Sequence, residues 1–436
     1  MIFRYCHLPL LILLLIANSA AARNFANVST LNESTYKILS SAQKSLKKGN
    51  YRLAITVLDT LKKSPSLNGY EKAMMWSQYG AVHFSAGDLL KATAAYEKLL
   101  LQEKYPKGLK LKTLFNLAQI YFKTNQYRQT ISRLNNWFEL TDTPTEQAYF
   151  LQAQANYYLQ NHQQVVDNLN QALAIVKAKN IEPNEQWLLM LQSSLDSLGL
   201  AEHRLGILKW MLRLFPTKDY MLSLAGTYGI LEKQPEQLAI MELAYKKDYL
   251  DTEPLLLTLA SLLYFQGAPY KAANVVQQGF NNNTIKTNPR NLLFLSNCLR
   301  AAQEFEQALP VLKQSAKISD NADTYYLLAT TYYQLGRWQL AADAFSLALD
   351  KKLTRNQRRT WMLLGQTYLQ LHQFDNAKSS FIQASTFENN NENSNEKDET
   401  IASQWLVYTE QEQKRFAFLQ SENQKDIDYQ NTKANP

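Results

Sequence analysis

The stretch WMLLGQTYLQLHQFDNAKSSFIQA, residues 361–384, decides the fold of this 436-residue chain. Leu364 and Tyr368 lie four residues apart, so both fall on one face of a first helix. Gly365 is small enough to let a neighbouring helix approach closely. A small–large–small pattern at i, i+4 and i+7 follows on a second helix: Ala377, Phe381 and Ala384. The stretch predicts two helices joined by a tight turn. The space left by Gly365 on the first helix would accept the ring of Phe381 on the second.

The same internal spacing recurs along the chain. One copy lies directly upstream: Tyr325, Leu328, Ala329, Tyr332, Ala341, Phe345 and Ala348. Another lies near the N-terminus: Trp76, Tyr79, Gly80, His83, Ala92, Tyr96 and Leu99. This W-x2-L-G-x2-Y…A-x3-F…A pattern resembles the tetratricopeptide repeat (TPR), a helix–turn–helix unit of about 34 residues.

One such hairpin cannot bury its own apolar face, so it must stack on copies of itself. The composition agrees with helices, because only 13 glycines and 12 prolines occur and the alternating β-branched runs of strands are missing. We therefore predict an all-α fold, a right-handed α-solenoid of about ten TPR helix hairpins with a C-terminal capping helix. The aligned copies begin near ten positions: Thr35, Ala73, Leu111, Glu146, Glu185, Lys218, Glu253, Pro289, Ala322 and Arg358.

The ends of the chain differ in composition from the repeats. Residues 388–399 (ENNNENSNEKDE) are polar and low in complexity, which is typical of a flexible loop. Beyond them, Trp405 and Phe416 belong to an apolar series at near-helical spacing, as expected of a helix that caps the last repeat. The predicted organisation is a signal peptide (1–22), an N-terminal linker (23–34), the TPR solenoid (35–387), a flexible loop (388–399), a capping helix (400–424) and a disordered tail (425–436).

Residues 1–22 are typical of a secretory signal peptide. Arg4 precedes the apolar stretch LPLLILLLIA, and Ala20-Ala21-Ala22 offers the small residues needed for cleavage before Arg23. The alternative is an uncleaved membrane anchor, which is disfavoured because the apolar run is shorter than the ~20 residues of a spanning helix. We therefore expect export to the periplasm.

Basic residues are concentrated in the N-terminal third. Residues 23–133 carry 18 Lys and Arg against 6 Asp and Glu, whereas residues 134–436 carry 27 against 32. This asymmetry suggests an acidic partner or peripheral contact with an anionic membrane surface, and a merely solvated basic surface is the alternative. Nucleic acid is not expected as a partner, because the chain is expected to be exported.

No catalytic or metal-binding motif occurs in the sequence. The histidines are scattered singly, and HExxH, paired Cys–His spacing, GxSxG and phosphate-binding glycine loops are missing. Cys298, the one cysteine outside residues 1–22, lies inside a helical pattern and is expected to be buried and inert. We therefore predict no enzymatic activity, no metal and no cofactor.

In the tetratricopeptide repeat, the first helix of each unit lines the concave face of the solenoid. The resemblance places eight candidate partner-binding residues there: Gln119, Gln154, Tyr157, Gln192, Asn297, Arg300, Tyr326 and Tyr333. Such groups can hydrogen-bond the backbone of an extended protein segment or peptide and stack on its side chains. The alternative for each of them is that it only solvates the groove.

The chain also resembles a narrower group, the exported TPR proteins associated with TonB energy-transduction systems of Gram-negative bacteria. The likeness runs over most of residues 35–386 and is clearest in NPRN at 288–291 and LSNCLRAAQE at 295–304. The polar insertion at 389–398 departs from the compact ending of that group. The resemblance implies a periplasmic adaptor that helps inner-membrane TonB complexes serve outer-membrane receptors.

These observations lead to three functional hypotheses. The first is a non-enzymatic periplasmic scaffold that is an accessory component of TonB-dependent outer-membrane transport. The second is a TPR scaffold of another envelope machine, for pilus assembly, polysaccharide export or cell-wall synthesis. The third is an envelope enzyme, which the missing catalytic motifs disfavour. Adjacent genes, such as a tonB-like operon, would distinguish the first two.

Export should remove about the first 22 residues of the chain. Mass spectrometry of the protein from a periplasmic extract should then find its N-terminus at Arg23 or within a few positions of it. An intact Met1 in the membrane fraction would contradict the cleaved, exported form.

Overall fold

The computed structural model describes residues 30–353, 355–386 and 396–434, and all regular structure in these ranges is helical. Twenty of the helices form ten successive antiparallel hairpins, followed by one long helix. The helices are α1 Glu33–Lys47, α2 Tyr51–Lys62, α3 Gly69–Ser85, α4 Leu89–Leu100, α5 Lys107–Lys123, α6 Tyr127–Leu140, α7 Glu146–Tyr158, α8 His162–Ala178, α9 Glu185–Ser197, α10 Ala201–Leu214, α11 Lys218–Ile230, α12 Gln234–Lys246, α13 Glu253–Phe265, α14 Pro269–Asn281, α15 Pro289–Ala301, α16 Phe305–Ser319, α17 Ala322–Gln334, α18 Trp338–Asp350, α19 Gln357–Gln370, α20 Phe374–Thr386 and α21 Glu396–Ala434. The predicted all-α solenoid of ten hairpins is confirmed.

Two hairpins, α3–α4 and α19–α20, are held by a glycine on the first helix against an aromatic ring on the second. A Cβ atom added to Gly365 would lie 2.6 Å from the ring of Phe381, and one added to Gly80 would lie 2.4 Å from the ring of Tyr96. Phe381 is completely buried. The spacing of residues 361–384 therefore predicted the helix crossing correctly, because only a small residue leaves room for the ring.

The corner of every hairpin contains one residue in the left-handed backbone region. Five of these residues are glycines, which adopt positive φ without strain. The ten corner residues are Gly49, Gly87, Asn125, Gln160, Gly199, Glu232, Gly267, Gln303, Gly336 and His372. The helices begin after local signals, such as the Asn68 capping box with Glu71 and the proline at the start of α15. Together these corners and caps fix the length of each hairpin.

Contacts divide the chain into two compact units, residues 1–211 and residues 212–436. In the first unit, one apolar cluster extends from Leu39 on α1 to Ala95 on α4. In the second unit, the largest cluster extends from Met221 to Ala308 and includes Cys298. Cys298 is completely buried, as predicted, and burial raises the pKa of its thiol to about 12.

Two hairpins depart from the small-residue pattern on their second helices. Gln237 of α12 lies against α11 where Gly229 leaves space, since a Cβ atom on Gly229 would be 2.6 Å from the Gln237 amide nitrogen. Arg204 of α10 forms an ion pair with Asp196, with 2.5 Å between Nη1 and Oδ1. Larger polar side chains are therefore accommodated by a compensating glycine or by a partner within the same hairpin.

Helix α21 packs on α20 and covers the apolar face of the last repeat. Its Trp405 stacks on Phe381 with ring centroids 5.7 Å apart, and Phe416 stacks on His372 at 4.4 Å. Thr409, which lies between Trp405 and Phe416 in the sequence, is completely buried. This is the packing that the apolar spacing of the capping helix predicted.

The bounds of this helix differ from those predicted. We predicted helix for residues 400–424, whereas α21 extends from Glu396 to Ala434 and thus includes the end of the predicted loop and most of the predicted disordered tail. Beyond Phe416 the residues are mostly polar, and no proline or glycine interrupts them. Local helix propensity continues the helix where the apolar signal had ended. The predicted linker is also shortened, because α1 begins at Glu33.

Several predictions lie outside the described residues. The signal peptide (1–22), residues 23–29 of the predicted linker and residues 388–395 of the predicted loop are among them. In the three described ranges, no helix is both long enough and apolar enough to cross a membrane.

The close approach at Gly365 can be tested with a matched pair of glycines. Gly365→Ala should lower the free energy of unfolding by about 1–3 kcal/mol, because the added methyl group meets a completely buried ring. Gly226→Ala, on exposed α11 surface with nothing within 4 Å, should instead stabilise the helix by up to about 1 kcal/mol. Thermal unfolding followed by circular dichroism measures both. Equal shifts for the two variants would contradict the assigned hairpin register.

Candidate functional site

The eight candidate residues all lie on first helices, and all are partly exposed. Gln119, Gln154, Tyr157 and Gln192 belong to the first unit, on α5, α7 and α9. Asn297, Arg300, Tyr326 and Tyr333 belong to the second unit, on α15 and α17. Within each unit, the first helices of successive hairpins present a common surface, here called the first-helix face.

Part of this surface in the first unit is used in contacts between hairpins. The Tyr157 hydroxyl lies 3.2 Å from Ser193 Oγ and thus joins α7 to α9. Gln192 Oε1 accepts a hydrogen bond from Arg204 Nε at 3.2 Å. Gln119 and Gln154 have no side-chain hydrogen bond within the described part of the chain, so their amides are available to a partner.

Tyr333 joins hairpins in the second unit in the same way. Its hydroxyl donates a hydrogen bond of 3.0 Å to Gln366 Oε1, which joins α17 to α19. Its ring lies edge-on to Trp338, with centroids 5.3 Å apart, and burial raises the pKa of the phenol. Tyr326 packs its ring against Phe345 at 6.4 Å. Tyr333 is therefore largely structural, whereas the hydroxyl of Tyr326 has no protein acceptor among the described residues.

Arg300 is the most unusual of the eight residues. Its Nη2 donates a hydrogen bond of 3.1 Å to Thr330 Oγ1 on α17, while its buried Nε has no acceptor in the described residues. Burial lowers the pKa of the guanidinium, and interactions with the phenols of Tyr326 and Tyr264 partly oppose this shift. No carboxylate of the described ranges pairs with it. A half-buried cation without a counter-ion is costly unless a ligand supplies the negative charge.

Asn297 lies three residues before Arg300 on α15, so both side chains reach the same surface. Its amide has no hydrogen-bond partner in the part of the chain that the structure describes. Tyr264 of α13 and Phe294 of α15 extend the surface with an edge-on aromatic pair, whose centroids are 6.3 Å apart. The site thus combines a guanidinium, a free amide and aromatic rings.

Tyr264 was not among the predicted site residues, although the sequence contains a signal for it. Tyr264 is the twelfth residue of α13, and Tyr157, Arg300 and Tyr333 are the twelfth residues of their own helices. A comparison of this one position across the hairpins would have found it. Thr330 was also missed, because its role depends on the side-chain conformation of Arg300 on the preceding first helix.

This arrangement suits recognition rather than bond chemistry. The guanidinium has a planar fork of donors that matches a carboxylate or two backbone carbonyls, and Asn297 can pair with a peptide amide. Within the described ranges, no group of three or more His, Cys, Asp or Glu side chains is placed to hold a metal ion.

A stability comparison tests whether Arg300 lacks a structural role. Arg300→Met should leave the free energy of unfolding unchanged or raise it by up to about 1 kcal/mol, because it removes a buried charge that has no counter-ion. Arg204→Met removes an arginine paired with Asp196 and should lower that free energy by about 1 kcal/mol. Thermal or urea unfolding distinguishes the two. A comparable loss in both variants would mean that Arg300 stabilises the fold.

Family models match two segments of the chain. Residues 359–391 match the tetratricopeptide repeat, and residues 283–348 match "Anaphase-promoting complex, cyclosome, subunit 3". These segments fall largely on the three hairpins from α15 to α20. The comparison with curated proteins gives no significant match.

Several solved structures are similar to parts of the chain. A tetratricopeptide repeat protein from Parabacteroides merdae is 15% identical, covers 62% of this chain and 100% of its own, and has a TM-score of 0.35. YrrB, "a TPR protein with an unusual peptide-binding site", is 17% identical over 48% of this chain and 97% of its own, with a TM-score of 0.34. The TPR2AB-domain:pHSP90 complex of yeast Sti1 is 15% identical over 61% and 99%, with a TM-score of 0.33. The family matches and the ten-hairpin architecture support a TPR protein, a class that typically forms scaffolds for protein interactions.

Proposed function

We propose that this protein is a non-enzymatic periplasmic scaffold that binds an extended protein segment on the first-helix face of its second unit. We further propose that it serves as an accessory component of a TonB-dependent outer-membrane transport system. The observation that carries the binding proposal is Arg300, a half-buried guanidinium with a free Nε and no carboxylate partner in the described residues.

The chemistry around Arg300 defines what the bound segment offers. A side-chain carboxylate, a chain terminus or two backbone carbonyls would accept hydrogen bonds from the guanidinium. Asn297, one turn earlier, would pair with a peptide group of the same segment. Binding would neutralise the buried charge and provide a hydrogen-bond acceptor for Nε. This interaction should therefore contribute more binding free energy than a contact with an exposed arginine.

The aromatic residues favour an extended segment rich in proline. Tyr264 lies on the preceding first helix with its ring edge-on to Phe294, and Tyr326 lies on the following first helix. Preformed polyproline II helices lose little conformational entropy when they dock on aromatic grooves. TonB-type proteins have such a Pro-rich periplasmic segment, which is the basis for choosing it as the partner.

Localisation and the transport role rest on the sequence. The signal-peptide pattern of residues 1–22 supports export, and the resemblance of residues 288–304 supports the TonB association. The alternative is a scaffold of another envelope machine, which the same binding face would also serve. The identity of the captured partner separates these two roles.

A binding assay with matched variants tests the proposal. Purified protein should bind the Pro-rich periplasmic segment of a TonB protein from the same organism, and Asn297→Ala with Arg300→Ala should weaken binding at least about tenfold, since charge-assisted hydrogen bonds are lost. Arg290→Ala, an exposed arginine at the start of α15, removes the same charge from the same helix and should bind like the wild type. Circular dichroism checks that each variant is folded.

The outcomes separate the site from the transport role. Wild-type affinity in the double variant would exclude this surface. A second outcome is that the wild type does not bind the TonB segment but binds another envelope protein, which the double variant fails to bind. The binding face would then be correct and the TonB role would be wrong.

A further inference from the structure

A second surface of the protein lies in the first unit, where the hairpins α1–α2, α3–α4 and α5–α6 are joined. The end of α2 and the start of α3 lie beside the end of α4 and the start of α5. The adjacency is direct, because a Cβ atom on Gly69 would lie 2.6 Å from the Glu103 carbonyl oxygen. These helix ends, with the connecting residues 63–68 and 101–106, are called the basic edge below.

The basic edge carries a dense set of unpaired cations. Lys107 is neutralised by Asp142, with 2.8 Å between Nζ and Oδ2. Seven further lysines at this edge are exposed and have no carboxylate partner in the described residues: Lys62, Lys63, Lys72, Lys98, Lys104, Lys110 and Lys112. No carboxylate of the described residues therefore neutralises the charges of these seven lysines.

Three carboxylates near the basic edge are occupied by contacts within the protein, whereas Glu139 of α6 is exposed and has no ion pair in the described residues. Glu71 is completely buried and accepts hydrogen bonds from the backbone nitrogens of Asn32 and Asn68. Asp59 accepts a hydrogen bond from the Tyr79 hydroxyl at 2.5 Å. Glu97 accepts a hydrogen bond from Arg133 at 2.7 Å. Within the helix ends and connecting residues that define the edge, Glu103 is the one exposed carboxylate without an ion pair, among the described residues.

Apolar side chains lie among these lysines. Leu101, directly after α4, is 80% exposed. Half-buried Trp76 of α3 has two lysine ammonium groups near its ring: Lys98 Nζ is 4.7 Å from the ring centroid and Lys62 Nζ is 5.8 Å from it. An indole with an apolar body and a polar group is the side chain most typical of a membrane–water interface.

We propose that the basic edge docks on an anionic lipid bilayer. Lysines spread over two neighbouring loops and the helix ends that flank them match the extended negative potential of a lipid surface, which attracts clusters of basic residues. Leu101 can insert between the headgroups, which adds an apolar contribution to the electrostatic one. An acidic peptide would pair with the lysines but would leave Leu101 in water, so the exposed leucine favours lipid as the partner. This inference does not depend on the proposed function of Arg300.

Sedimentation with lipid vesicles tests the proposal on the full mature chain. The protein should bind phosphatidylcholine vesicles that contain about one-third phosphatidylglycerol and should not bind pure phosphatidylcholine vesicles. Raising the salt concentration should weaken binding, because salt screens exposed charges. Lys62→Glu with Lys98→Glu should reduce the partition coefficient at least about tenfold, and Leu101→Ser a few-fold.

Two lysines at the opposite edge provide the matched control. Lys44 and Lys47 are exposed in the last turn of α1, just as Lys62 and Lys98 are near the ends of α2 and α4. Lys44→Glu with Lys47→Glu makes the same change in net charge and should retain most of the binding. Circular dichroism confirms the fold of each variant.

Each remaining outcome overturns the proposal. Equal losses in both double variants would mean that net charge alone attracts the protein to lipid. Failure of the wild type to bind phosphatidylglycerol vesicles, together with binding to polyglutamate that the Lys62→Glu, Lys98→Glu variant loses, would identify an acidic protein partner instead. Failure to bind either probe would mean that the edge is only solvated.

Discussion

The packing of a small residue on the first helix against a large side chain on the second, clearest where that side chain is an aromatic ring, is the contact on which the rest of the structure depends. Gly80 against Tyr96 and Gly365 against Phe381 leave no room for even a methyl group. Ala329, completely buried in the same cluster as Phe345, has the same role one hairpin earlier. Because this crossing uses only one side of each helix, the remaining apolar faces have to be covered by the next hairpin. Stacking, and the final cover by α21, follow from that requirement.

Stacking also determines what the first helices can offer to a partner. Side chains at their twelfth position lie next to the following first helix, so Tyr157 and Tyr333 form hydrogen bonds across that gap. Arg300 occupies the same position and bonds Thr330, yet its Nε stays without an acceptor in the described residues. The residue at the twelfth position of a first helix can therefore stabilise the fold in one hairpin and bind a partner in another. The two roles are distinguished only by the side chains that surround it.

The sequence predicted the hairpins well because their signals are local. Six of the ten predicted repeat starts are also the first residues of observed first helices, from Glu146 on α7 to Ala322 on α17. The fourth corner, at Gln160, is harder to locate from the sequence, because a polar residue at positive φ has a weaker signal than a glycine. The C-terminal end of α21 could not be predicted, because the mostly polar residues beyond Phe416 show no apolar periodicity. Hydrogen bonds such as Tyr333 to Gln366 depend on how two hairpins meet, which no local pattern encodes.

Unbalanced charge is the physical feature that the two proposed surfaces share. Several charges elsewhere in the described residues pair across hairpins, as Lys351 does with Asp320 at 2.6 Å and Arg337 with Glu306 at 2.9 Å. Such exposed pairs add little stability, but they leave no strong field for a partner. Arg300 differs because burial makes its unpaired charge costly, so a bound carboxylate would gain affinity from relieving that cost. At the basic edge each lysine remains hydrated and contributes little binding free energy alone. Affinity there requires a partner that presents many negative charges over a surface as large as the edge itself. A buried single cation thus favours a specific segment, whereas a field of exposed cations favours a lipid surface.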